Sequence, residues 1–352
     1  MSIPTTHKAL VIQQKGGDPA IETVKTYTPK PDEVLVRIEA AGVNPADWKV
    51  RDFGLVVGNY PLVLGLDAAG EVVATGEEVT SLAIGDRVIY SGWLQSLSLG
   101  TFQQYGTVPA EFASKIPPSL SFDEAATIPL AISTAGVGLY GPVERGGGTG
   151  LTPPWLNEGR KKYSGQPVVV FGGSGSVGKY TIQLAELSGF SPIVTTASPQ
   201  NFELVKSLGA THVVDRHLPP REIEKAINAI IPGPIKFIYD TVSLSATQNT
   251  AYDLLSSGGI LVVYLSSKVD EKKTTPDKKI IASHGTGYAV QNKDVCISLY
   301  THLTDLIDSG DIKPNVVEIL PKGLSGIPDA MERVKRDEVS GKRLIARPQE
   351  TS

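Results

Sequence analysis

Gly173-Ser174-Gly175-Ser176-Val177-Gly178 stands directly behind the apolar run Val168–Phe171 and ahead of a helical pattern. In that setting the three glycines serve different ends. The first allows a tight turn, the second lets backbone approach a pyrophosphate, and the third lets helix pack on strand. Free N–H groups and the positive end of the helix dipole then face the phosphates. Alone, the motif is weak, because glycine-rich loops reproduce it by chance. The strand before it and the strand–helix alternation after it supply the context. Gly173, Ser174, Gly175, Ser176 and Val177 are therefore read as the phosphate turn of a dinucleotide site.

The second strand of such a unit selects the dinucleotide. An NAD site places Asp or Glu about twenty residues on, where the acid holds the ribose 2′-hydroxyl. Here the strand runs out as Val194-Thr195-Thr196-Ala197-Ser198-Pro199-Gln200-Asn201, and the first acid, Glu203, lies inside the next helix. A carboxylate would repel a 2′-phosphate, whereas Ser198 and Asn201 can donate hydrogen bonds to one. Arg216, just past the third strand, can add a charge-assisted contact. NADPH is the expected cofactor. Arg216 as a solvated surface arginine and Ser198 as a helix N-cap are the bland alternatives.

Metal and nucleophile chemistry find little to work with. Cys296 is the only cysteine, which excludes intrachain disulfides and any cysteine-cluster zinc site. None of the five histidines, His7, His212, His217, His284 and His302, lies at a ligand spacing from another or from Cys296. A mononuclear zinc site needs three protein ligands, so no metal is expected. Gly173-Ser174-Gly175 is not the G-x-S-x-G of a serine nucleophile.

The elements that must position these residues follow from pattern. The 352 residues exceed what one core usually supports, so two domains are expected. Val34–Ala40, Glu71–Gly76 and Asp86–Tyr90 read as short strands of a β-rich region. Phe122–Tyr140 reads as helix, interrupted at Pro129. Residues 144–166, rich in Gly and Pro and carrying Arg160-Lys161-Lys162, read as a surface insertion or mobile loop. From Val168 onward strands (Val168–Phe171, Pro192–Thr196, His212–Val214, Phe237–Tyr239, Ile260–Tyr264) alternate with helices (Lys179–Ser188, Asn201–Leu208), the signature of a doubly wound parallel sheet. A helix at Val295–Ile307 follows. The expected fold is α/β: a Rossmann domain at 136–295 and a β-rich domain built from 1–135 and 296–352. A net charge of −4 argues against a general nucleic-acid binder. The lack of a signal segment or an apolar run of about 18 residues points to a cytoplasmic protein without membrane spans.

Ala41-Gly-Val-Asn-Pro-Ala-Asp-Trp-Lys49, Gly65-Leu-Asp-Ala-Ala-Gly70, Gly85-Asp-Arg-Val88 and the phosphate turn resemble, in order and spacing, the medium-chain dehydrogenase/reductase superfamily, whose β-rich domain is GroES-like. Zinc alcohol dehydrogenases of that superfamily carry Cys-His where this chain has Asn44-Pro45, and Gly-His-Glu where it has Gly65-Leu66-Asp67. The resemblance is thus to the zinc-free quinone oxidoreductase branch. Ala131–Gly136, Ser198–Phe202 and Val339–Leu344 resemble the trans-acting enoyl reductases of fungal polyketide synthases. What the resemblance implies is specific. Ala46, Asp47, Trp48 and Lys49, with Asn44 before them, would border the nicotinamide end of NADPH, with Thr134 beside the ring. Ser174–Val177 would hold the pyrophosphate and Ser198–Asn201 the 2′-phosphate. The Leu265 backbone would touch the nicotinamide, and Lys342-Arg343 would close over the cofactor. Relatives often carry a tyrosine where this chain has Arg216.

Without zinc, the reaction that fits is hydride addition to an activated C=C, whose charge spreads into an enolate. Hydrogen-bond donors in a dry site stabilise such charge by about 3–4 kcal/mol each; Lys49 and Thr134 are the candidate catalytic donors. The substrate would be a small enone, enal, quinone or enoyl thioester, free or carrier-bound, and the chain is expected to be a monomer. A nucleotide-binding partner or sensor with little catalysis, and a one-electron quinone reductase, are the competing readings.

Overall fold

The computed structural model describes residues 2–54, 59–144 and 146–352. The chain forms two compact units: the first holds 1–130, 303–308 and 314–352, the second 131–302 and 309–313. Arg145, inside the segment read as an insertion, lies outside the described residues.

In the first unit, β1 (Thr6–Ile12), β2 (Ala20–Lys25) and β4 (Leu62–Val63) form a three-stranded sheet. The larger sheet is built on β3 (Glu33–Gly42), which pairs antiparallel with β5 (Asp67–Thr75) along most of its length. Val34, Leu35, Val36 and Ile38 are all buried, so both faces of β3 are covered where the pattern suggested one. Helix α1 (Pro45–Phe53) begins three residues after β3 ends, with proline at its first position, where the missing N–H costs nothing. Strands β6 (Arg87–Ser91), β7 (Tyr105–Pro109) and β8 (Ala113–Lys115) extend the sheet, and α2 (Phe122–Ala125) follows. Pro129 ends the helical run as expected and starts a new helix, α3 (Pro129–Tyr140).

The second unit is a six-stranded, all-parallel sheet. Its strands are β9 (Val168–Phe171), β10 (Ile193–Ala197), β11 (His212–Asp215), β12 (Phe237–Asp240), β13 (Ile260–Val263) and β14 (Lys279–Ala282), in the order β11-β10-β9-β12-β13-β14. All of β9 is buried, as a central parallel strand requires. Helices α4 (Ser176–Leu187), α5 (Phe202–Lys206), α6 (Pro220–Ile230) and α7 (Ser245–Leu254) connect the strands. Ile223 and Ile227 of α6 and Ala251 and Leu254 of α7 pack with Val169, Ile238 and Leu261 in one apolar cluster. Helix α4 starts at Ser176, three residues earlier than its pattern suggested, and β14 was not apparent from sequence. Helix α8 (Lys293–Asp308) leads to β15 (Val316–Ile319), α9 (Ile327–Lys335) and β16 (Lys342–Ala346), whose strands rejoin the first unit's larger sheet.

The first part of the segment beyond Pro142 departs from the expected surface insertion: residues 146–149 and 151 are buried, whereas most of 156–166 is exposed. Its glycines serve close approach: a methyl group on Gly147 would meet the Pro142 carbonyl oxygen at 2.0 Å, and one on Gly148 the Val137 oxygen at 2.0 Å. Thr149 is buried, its hydroxyl 2.7 Å from the Leu139 carbonyl and 2.8 Å from the Tyr239 hydroxyl. Trp155 meets Tyr140 edge-on at 5.1 Å, its indole N–H donating to Ser298 Oγ (3.0 Å), and Tyr163 stacks on Phe190 at 5.2 Å. Residues 146–149 and 151 are thus packed into the second unit, and Trp155 and Tyr163 tether the more exposed remainder to it. Thr149→Val is expected to strand the buried Tyr239 hydroxyl and cost about 1–3 kcal/mol in chemical denaturation; an unchanged midpoint would return the segment to the surface.

Candidate functional site

The glycine turn is held by backbone, and each glycine can be tested by adding a Cβ. Gly172, one residue ahead of the motif, takes the positive φ (+81°), so the tight turn assigned to Gly173 belongs to Gly172. Its N–H donates to Thr196 Oγ1 and that of Gly173 to the Thr196 carbonyl, both at 3.0 Å, tying the turn to β10. A methyl on Gly173 would strike Thr195 Oγ1 at 2.0 Å, and one on Gly178 the Gly172 oxygen at 2.3 Å. One on Gly175, the N-cap of α4, would meet only the Gly172 oxygen, at 3.3 Å. Two glycines are thus required by the protein's own packing, while Gly175 faces space that a phosphate can use. With the free N–H groups of the first turn of α4, this is a fitting cradle for a pyrophosphate.

At the end of β10, Ser198 Oγ accepts a hydrogen bond from Arg216 Nε at 2.6 Å. Ser198 occupies an N-cap position, but its hydroxyl makes no cap bond. It is buried beside the buried Asn201, while Arg216 is exposed. The nearby carboxylates are engaged elsewhere: Glu203 with Lys206 (3.0 Å) and Asp215 with the His217 ring (2.9 Å). No acid among the described residues therefore takes the place where a ribose 2′-hydroxyl would need one.

In a sheet of this order the crevice lies beyond the carboxyl ends of β9 and β12, where the winding reverses. The turn there is Asp240–Ser243, which the sequence reading missed. Asp240 accepts from the N–H groups of Val242 (3.0 Å) and Ser243 (2.9 Å) and from Thr247 Oγ1 (2.7 Å). Burial pushes its carboxyl up, and those bonds oppose the shift. Ser243, at φ +57°, accepts from the Tyr264 N–H (2.8 Å), joining the ends of β12 and β13. Thr241 Oγ1 donates to the Phe171 carbonyl (2.7 Å), and Val242 would be 2.6 Å from a Cβ on Gly172. Leu265, just past β13, is half-buried. On α3, Thr134 is covered by backbone: a Cβ on Gly285 would lie 2.2 Å from both its Cα and its Oγ1. Only the strand order could have pointed to Asp240–Ser243, and nothing local marks Gly285.

In the first unit, Asn44 caps α1. The Asn44 N–H donates to Asp47 Oδ2 (2.7 Å), and its side-chain amide donates to Asp67 Oδ2 (2.9 Å). Arg343 donates through Nη1 to Asn44 Oδ1 (2.8 Å) and through Nη2 to Asp67 Oδ2. The Leu130 N–H donates to Asp67 Oδ1 (2.6 Å). Arg343 is thus buried in an internal ion pair, while its neighbour Lys342 reaches Glu318 at 2.5 Å. Ala46, Trp48 and Lys49 are half-buried, with the Lys49 ammonium 5.6 Å from the centre of the Trp48 ring.

Among the described residues no group of three or more His, Cys, Asp or Glu could hold a metal ion. The zinc that the superfamily implies does not fit the donors present: Asn44 and Asp67 are bound to Arg343, Leu66 offers no donor atom, and Cys296 is buried, its thiol pushed up to about 12.

Residues 30–118 match the family model described as Alcohol dehydrogenase GroES-like domain, and residues 176–290 the model described as Zinc-binding dehydrogenase. The chain is 32% identical over 323 residues to the trans-enoyl reductase himH of Aspergillus japonicus, covering 89% of each chain. It is 30% identical over 369 residues to the trans-enoyl reductase RAP2 of Pyricularia oryzae, covering 98% of this chain and 99% of that one. Among solved structures it is similar to an alcohol dehydrogenase superfamily protein from Novosphingobium aromaticivorans, with a TM-score of 0.79 and 25% identity over 97% of this chain and 99% of that one.

Two substitutions separate packing from ligand binding. Gly178→Ala is expected to destabilise the second unit by about 1–3 kcal/mol through overpacking. Gly175→Ala should cost about 1 kcal/mol or less yet abolish calorimetric dinucleotide binding. Equal binding by Gly175→Ala and the parent would remove the cradle from the site.

Proposed function

Since this chain belongs to the medium-chain dehydrogenase/reductase superfamily, a class of nicotinamide-dependent oxidoreductases, we propose that it reduces an activated C=C bond with NADPH and without zinc. The observation that carries the cofactor choice is the bond between Ser198 and Arg216 at the end of the second strand. A 2′-phosphate there would find a hydroxyl, the Asn201 amide and a guanidinium. Gly172–Val177 would hold the pyrophosphate, and the turn Thr241–Ser243 with Leu265 would line the crevice beyond.

The names of the relatives support an enoyl acceptor, free or carrier-bound. When bound, the reduced nicotinamide supplies the hydride. The protein's share is to place the alkene in near-attack geometry and to meet the oxygen on which negative charge grows. Thr134, its position fixed by the Gly285 backbone, is the donor proposed on the nucleotide-binding unit. Lys49 on α1 is the second, with its charge drawn over Trp48 in the structure. Each would supply about 3–4 kcal/mol if the site is dry. A proton for the α-carbon can come from water, so no side chain need be an essential acid.

NADPH should be consumed with enones, enals, quinones or enoyl thioesters and not with simple ketones. Turnover of simple ketones alone, or stoichiometric zinc in the purified protein, would overturn the reading, and tight binding without turnover would make the chain a nucleotide-binding partner. Arg216→Ala should raise the KM for NADPH about 10- to 100-fold, the worth of a charge-assisted bond, and leave the KM for NADH unchanged. Equal effects on both cofactors would move the 2′-phosphate away from Arg216.

A further inference from the structure

We propose that Asp47 is a positioning residue held as a neutral acid, fixing the start of α1 inside a buried hub whose one ion pair is Arg343–Asp67. The hub gathers Asn44, Asp47, Asp67 and Arg343, each at most 4% exposed. Its two carboxyls are served unequally. Asp67 receives the Leu130 N–H on one oxygen and the Asn44 amide and Arg343 guanidinium on the other. Asp47 receives the Asn44 N–H on Oδ2, while Oδ1 has no hydrogen-bond partner among the described residues.

One guanidinium can compensate one carboxylate in such a place, and the geometry assigns it to Asp67. Ionising Asp47 as well would leave an uncompensated negative charge away from water, the costliest outcome for a buried acid. A proton on Asp47 leaves the hub neutral and preserves the Asn44 N–H bond that caps α1. The charged groups acting on Asp47 are Asp67 from β5 and Arg343 from β16; Asn44 and Gly65 contribute only backbone amides. Burial pushes the Asp47 carboxyl up to about 7, with Asp67 adding to the rise, while the Asn44 amide, Arg343 and the Gly65 amide oppose it. The start of α1 carries Ala46, Trp48 and Lys49, so the Asn44–Asp47 bond that fixes this start also bears on where these side chains stand. Only their role at the nicotinamide rests on the proposed function; the protonation does not.

An unfolded aspartate titrates near 3.9, so between about 4 and about 7 the folded chain keeps a proton that the unfolded chain has lost. The stability conferred by neutral Asp47 is complete below about 4 and is lost as pH rises to about 7. Asp47→Asn, neutral at every pH, should match the parent in thermal midpoint near pH 4, pull ahead as pH rises and exceed it by several degrees at pH 8. A difference that does not change with pH, or a variant less stable at pH 8, would overturn the proposal. Should that variant fail to fold, carboxyl ¹³C NMR of the aspartate-labelled parent decides the same question: one buried aspartate must titrate near 7, and a hub with both carboxyls ionised at pH 5 refutes it. Neither readout involves cofactor, so either can fail while the proposed activity stands.

Discussion

The first turn of α4 lies so near the end of β9 that a single methyl group on Gly178 would meet the Gly172 oxygen at 2.3 Å. That backbone-to-backbone approach sets the depth of the crevice above the sheet. It puts the free N–H groups of α4 in line with the strand ends, and it leaves Gly172 at a positive φ against Val242 across the switch point. Thr196 anchors the same turn from β10 and Thr241 from β12, each through its hydroxyl and a backbone group. The shape of the glycine turn is therefore a property of how three strands and a helix meet, with side chains acting as braces.

Charge is handled in two opposite ways. At the end of β10 an exposed guanidinium donates to a serine hydroxyl. In the first unit an equally strong cation is consumed internally, because Arg343 must answer a carboxylate that has no solvent. The residue type is the same and the environment differs: Arg216 stands exposed at a strand end, where a role in recognition is proposed for it, while burial makes Arg343 structural.

The sequence was most readable where one local signal sufficed. A continuous apolar tetrapeptide followed by spaced glycines located β9 and the glycine turn behind it, and the missing acid after β10 was visible as a plain absence. Local signals failed where the cause was distant. Gly172 lies outside the usual motif frame, and its φ is imposed by Val242 and Thr196. Helix α6 opens on Pro219-Pro220 and α7 is rich in Ser, Thr and Asn, so neither advertised a helix, although Ile223 and Ile227 gave α6 a buried face. Gly147 and Gly148 suggested flexibility, yet they are glycines because carbonyl groups press on them. In the other domain, Asp47 and Asp67 could be quoted as motif letters, but their unequal hydrogen bonding needed Arg343, nearly three hundred residues away in the chain.

The packed stretch after Pro142 also governs how the parallel sheet ends. Strand β14 forms one of its two edges, opposite β11, and would offer an open row of amides and carbonyls to any passing extended chain. Gly146 bridges to Ser283 at the top of that row, and Asn292 Nδ2 clasps the carbonyls of Gly146 (2.9 Å) and His284 (2.7 Å). The exposed Lys279 stands at its other end. A foreign strand would have to unseat a clasp at one end and desolvate an ammonium at the other. The β14 edge thereby carries its own guard against edge-to-edge pairing.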